Sequence, residues 1–181
     1  MRFFVLFGIL AIAATSCTHV NVDKEVALID SLKTAIKNAE ITLEKVDIDK
    51  ISTLKEQMGN QIALIKDIYG DSIKWEYAKT LSQYHRIQKS FTKFADKQAY
   101  IKGEITFSHQ QLADLTAVLK NNIIHTDSFQ VHFAKECQAA EDLKDIIQVE
   151  VKKAQNNLEL YKKFSPKVKA MLKDQNSDGE V

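Results

Sequence analysis

From position 26 onward, apolar residues fall three or four apart: Val26, Ile29, Leu32, Ile36, Ala39, Leu43 and Val46. That spacing puts them on one face of a helix, with Asp23 as its expected N-cap. Asp47 and Asp49 interrupt the stripe and can cap a second helix. Its own stripe is Ile51, Leu54, Met58, Ile62, Ile65 and Ile68. Gly70-Asp71 then supplies a C-terminal glycine followed by an N-cap for the next element.

The third stripe is the longest. It runs through Ile73, Tyr77, Leu81, Tyr84, Ile87, Phe91, Phe94, Gln98, Ile101, Ile105, Ser108, Leu112, Leu115 and Leu119. The mean step is about 3.5 residues, which predicts a gentle left-handed supercoil. Unbroken, this helix would be about 70 Å long. Gly103 weakens it, and Ser108 with Gln111 has capping-box spacing, but the seam stays in phase through Gly103. A continuous or slightly bent helix is therefore expected. Residues 121–128 (NNIIHTDS) read as the clearest turn. A fourth helix follows through Phe129, Phe133, Cys137, Ala140, Leu143, Ile147, Val151, Ala154, Leu158 and Tyr161. Ser165-Pro166 is expected to stop it and to start a short last helix ending near Lys173, with Pro at the first helical position. Residues 174–181 are polar and are expected to be disordered. The stripes are narrow and the other faces are filled by Lys, Glu, Asp and Gln. Narrow stripes on long helices predict an all-α fold: an elongated antiparallel bundle, or coiled-coil hairpin, of three to four long helices over 23–173.

The chain opens differently. Arg2 precedes an apolar run from Phe3 to Ala14, a length suited to a signal peptide and short for a bilayer span. The run ends in Ala14-Thr15-Ser16-Cys17. These four residues resemble the lipobox of bacterial lipoprotein signals, with Ala14 in place of the commonest Leu. The resemblance implies that residues 1–16 are removed. Cys17 would then carry a diacylglyceryl thioether, usually joined by an N-acyl chain. Each buried methylene favours the anchored state by about 0.8 kcal/mol, so several chains hold where one would not. Residues 17–22 then read as a tether. In general character the chain also resembles the small helix-rich lipoproteins of Gram-negative bacteria. That likeness implies a cell-envelope location, with the outer membrane favoured, and it transfers no functional residues.

Composition narrows the function classes. The whole chain has 25 basic and 24 acidic residues. Losing Arg2 with the leader leaves the two signs balanced, so no broad field would attract nucleic acid. Arg86 would be the sole remaining arginine, whereas phosphate and base readers use several. With Cys17 acylated, Cys137 is the last thiol and no internal disulfide can form. On a seam, Cys137 reads as a small buried hydrophobe, with an intermolecular disulfide across a dimer as the sharper alternative.

Catalytic chemistry finds little support in the residue pattern. A di-iron bundle needs Glu-x-x-His on its helices, and no His here has Glu three residues before it. His132 and Glu136 share a helix face, but no third ligand is identifiable from spacing. His85 flanks the seam, His109 follows the Ser108 capping position and His125 lies in the turn. None has a nucleophile at readable spacing. Asp174, Asn176, Asp178 and Gly179 repeat the opening of an EF-hand loop, but the chain holds no position-twelve Glu. The phenylalanines and tyrosines at helical spacing read as core. Gln98 and Ser108, polar on the seam, are expected to set helix register or to contact one another. Trp75, off the seam, marks a candidate contact surface. The expectation is therefore a non-enzymatic, lipid-anchored helical protein without metal or cofactor. It would act as a spacer or protein-interaction module, with protein partners and homo-oligomers both open. The alternatives are a bundle that holds a small ligand or peptide between its helices and, less favoured, a metal-dependent enzyme.

Overall fold

A computed structural model describes residues 21–174; Cys17, the leader before it and residues 175–181 lie outside the described residues. Four α-helices account for nearly all of the described chain: α1 (Val22–Glu44), α2 (Ile48–Tyr69), α3 (Trp75–Lys120) and α4 (Thr126–Asp174). A single 3-10 turn, Gly70–Ser72, lies between α2 and α3. No strand occurs among the described residues. The fold is an all-α helical bundle.

Helix ends follow local chemistry. The Asn21 side chain caps α1 by accepting from the Lys24 backbone N–H at 3.2 Å. The expected cap, Asp23, instead sits in the first turn, where its carboxylate meets the positive end of the helix dipole. Asp47 caps α2 by accepting from the Lys50 N–H at 2.9 Å. Val46 and Ile51 take the two positions of a hydrophobic staple around that cap, and both are buried. Gly70 ends α2 at φ +47°, a conformation that costs other residues strain. The next helix does not start directly after Asp71 as expected. The chain passes through the 3-10 turn first, and α3 begins at Trp75 with no side-chain cap.

α3 runs unbroken through Gly103 and is about 70 Å long. Its buried residues, from Leu81 to Leu119, all lie on the seam read from the sequence. Gln98 and Ser108 are buried with them. They sit ten residues apart on one continuous helix, about 15 Å at 1.5 Å per residue, so they do not contact one another as the sequence had suggested. The turn after α3 is a Schellman motif. Asn122 adopts φ +54°, its N–H donates to the Leu119 carbonyl, and the Ile123 N–H donates to the Val118 carbonyl, both at 3.0 Å.

α4 does not stop at Ser165-Pro166. It continues through Pro166 to Asp174. Proline inside a helix costs about 3 kcal/mol, because it loses a hydrogen bond and crowds the preceding turn. Two buried side chains beyond it, Val168 and Met171, each bring roughly 1.5–3 kcal/mol on burial. Packing therefore outweighs the local break signal, and the separate last helix expected from sequence is absent.

The topology is that of a three-helix rod with one segmented member. α3 and α4 form an antiparallel hairpin. α1 packs on both near their connecting turn, while α2 packs mainly on the far part of α3 and only lightly on α4. Lys33 of α1 bonds Thr116 near the end of α3, whereas Gln61 of α2 accepts from Tyr84 near its start. Both short helices therefore run parallel to α4, end to end. Gly59 faces the Gln88 side chain of α3: a Cβ there would lie 2.8 Å from its amide nitrogen, so that side chain would have to shift. The ion pairs among the described residues all join side chains three apart on one helix. Exposed pairs of this kind stabilise little, so apolar burial carries the helix–helix pairing.

Candidate functional site

The two ends of the rod differ in chemistry. At the far end, tyrosines tie the helices together. Tyr84 is buried and donates to the Gln61 side-chain oxygen at 2.7 Å. Its ring stacks on Tyr161 at 6.1 Å, and Tyr161 reaches Gln57 of α2 at 3.4 Å. Tyr69 donates to the Met171 carbonyl and packs edge-on against Tyr77, which donates to the Asp174 carboxylate. Burial pushes the Tyr84 hydroxyl up to about 12, while the hydrogen bond to Asp174, more than burial, pushes Tyr77 up to about 12. Phenols held neutral in this way act as structural hydrogen-bond donors. Trp75 stands at the same end with 80% of its surface exposed. His85, half-buried on α3, is held below the ordinary imidazole range first by burial and then by Lys89 and Lys66.

At the near end, where α1 starts and α3 turns into α4, two open grooves flank the start of α4. One, of about 520 Å³, is lined by Lys24, Glu25 and Leu28 of α1 and by Phe129, Phe133 and Cys137 of α4. The Phe129 and Phe133 rings stack at 5.5 Å. Cys137 is half-buried at its edge; burial, and then the Glu136 carboxylate, push the thiol up, so little thiolate forms near neutral pH. The other groove, of about 290 Å³, lies between α3 and α4 and is lined by Gln111, Asp114, Val118, Ile123, His132 and Glu136 among others.

This second groove brings His132 and Glu136 together as the sequence spacing had suggested, and adds Asp114 from across the hairpin. His132 and Asp114 are exposed, and Glu136 is half-buried. Among the described residues, no group of three His, Cys, Asp or Glu side chains is placed to hold a metal ion. His109 is half-buried on α3, and His125 is exposed in the turn. The four described histidines thus lie at separate places on the fold. Of the aromatic seam, Phe91, Phe94 and Tyr84 lie in the core, while Phe133 and Tyr161 reach groove surfaces. Two large side chains absent from the seam, Tyr100 and Phe107, are exposed one heptad apart on α3. Lys97 lies 4.9 Å over the Tyr100 ring.

Sequence spacing did not reveal the Schellman turn that sets Ile123 at the near tip. The signal was present as Asn121-Asn122 followed by Ile123, with Asn tolerating the left-handed backbone and an apolar residue after it. No described helix is long and apolar enough to cross a membrane. No protein-family model, curated protein or solved structure matches the chain.

Proposed function

We propose that this chain is a lipid-anchored helical protein of the bacterial cell envelope, acting as a spacer or protein-interaction module. Removal of residues 1–16 would leave Cys17 as the acylated first residue, with the outer membrane as the favoured site. The observation that carries the reading is the position of Cys17. It closes an apolar leader and stands just ahead of α1, separated from it by residues 18–21. A rod about 70 Å long, joined to a lipid by so short a tether, suits holding a surface away from a membrane. Its grooves are open and its outer faces carry exposed aromatic side chains, Trp75 and Phe107, of the kind enriched at protein interfaces.

Photoreactive residues in place of Trp75 and Phe107, installed in the full chain in cells, test the interaction half. A discrete, reproducible adduct with one envelope protein is expected from at least one position. The absence of any adduct from both would remove the interaction module and leave the spacer.

A second reading, a carrier of a small apolar ligand, draws support from the Phe129–Phe133 groove. Its volume lies within the ordinary range of ligand sites. Native mass spectrometry of the protein extracted from membranes tests it: a reproducible bound mass lost in Phe133→Asp would favour the carrier over the spacer.

A further inference from the structure

The near end of the rod carries an apolar tip that the spacer reading leaves unexplained. Ile123 leads it, 69% exposed. Its position is not that of a loosely held loop residue. The left-handed Asn122 and the two Schellman hydrogen bonds fix the backbone that presents it, and Val118 and Ile124 line the groove beside it. Leu28 in the second turn of α1 and Val131 early in α4 are also exposed, at 41% and 57%. Among the large hydrophobic side chains of the described residues, only Trp75, at the opposite end, is more open to solvent than Ile123.

The course of the chain says what covers this tip. The first turns of α1 and α4 share one groove, so the polypeptide enters the rod at the end that Ile123 occupies. Residues 18–21 span at most about 14 Å even when fully extended. If Cys17 is held in a bilayer, the Ile123 end is therefore the end held against it, at high effective concentration. A contact too weak to bind by itself is then enough to set the orientation of a tethered body.

We propose that the α3–α4 turn is seated on the lipid surface that holds the anchor, with Ile123 entering the interface and the Trp75 end directed away from it. This rests on the lipid anchor proposed above. The charges around the tip are mixed, with Lys24 and Lys120 beside Asp23, Glu25 and Asp127. Seating is thus apolar, and it does not depend on anionic lipid.

The test uses full-length protein purified from membranes and reconstituted into phosphatidylcholine vesicles with brominated acyl chains. An environment-sensitive fluorophore is attached at Ile123→Cys, or at Ser72→Cys at the opposite end, each in a Cys137→Ser background. Circular dichroism confirms that both fold. Bromine quenching several-fold stronger at 123 than at 72, unchanged when anionic lipid is added, is the expected result. Equal quenching at both positions, or none at 123 with the acyl chains on Cys17 confirmed by mass, overturns the seating and leaves the anchor standing. A fluorophore at 123 that is shielded yet unquenched means that protein covers the tip, which also overturns it. An unacylated Cys17 removes anchor and seating together.

Discussion

Replacing Pro166 by Ala separates two accounts of the end of this protein. In the structure Pro166 lies within α4, with two helical turns beyond it, and its ring is exposed. Relative to Ala, an interior proline costs about 3 kcal/mol, through the missing amide donor and the crowding of the Lys162 carbonyl. Proline returns about 0.4–1 kcal/mol by stiffening the unfolded chain. Little packing is lost with the exposed ring. Pro166→Ala should therefore stabilise the protein by about 2 kcal/mol. In a domain of this size each kcal/mol moves Tm by about 2–4 °C, so a rise of about 4–8 °C is expected. Thermal and urea unfolding followed by circular dichroism at the helix band would measure it. An unchanged or lowered midpoint would refute the reasoning. It would mean that Pro166 opens a separate helix, where its missing N–H costs nothing.

Other substitutions probe the backbone and the tyrosine end. Gly103→Ala meets nothing within 4 Å and sits in mid-helix, so it should stabilise by about 1 kcal/mol in urea titration. Gly70→Ala also meets nothing, but the φ of +47° should make it destabilise by about 1–3 kcal/mol in the same assay. Tyr84 keeps its proton in the folded state to about pH 12, above its ordinary value of 10. The folded chain thus binds more protons than the unfolded one between those values, so this contribution is full below pH 10 and is lost as pH rises toward 12. Tyr84→Phe should lower stability by about 1 kcal/mol at pH 7, from the lost bond to Gln61, and should flatten the alkaline decline measured by urea titrations across pH.

How much of this was legible follows from the range of each signal. From Leu81 to Leu119 the α3 seam was readable residue by residue, including the polar Gln98 and Ser108, because burial on a long unbroken helix repeats at a fixed period; Ile73, read as its start, lies before the helix. The break at Asp47 was readable because a cap acts within one turn. Pro166 was misread for the converse reason. Its break signal is local, whereas the burial of Val168 and the Tyr69–Met171 bond that hold α4 together come from across the bundle. Asn21 and Asp23 are both competent caps, and a shift of two residues decides between them. The pairing of α1 and α2 along the hairpin, the Gly59–Gln88 approach and the tyrosine bonds depend on register between helices, which no single stripe encodes. At the near end, His132 and Glu136 could be placed on one face from their spacing. Asp114 could not, since only the hairpin brings it opposite.

The lipid on Cys17 is the point on which the proposed function turns. Metabolic labelling with an alkyne fatty acid, in a bacterial host expressing the full chain and its Cys17→Ala variant, measures it directly. Wild type should take up label and sediment with membranes, while the variant should do neither. Unlabelled wild type recovered free of membranes would contradict the account.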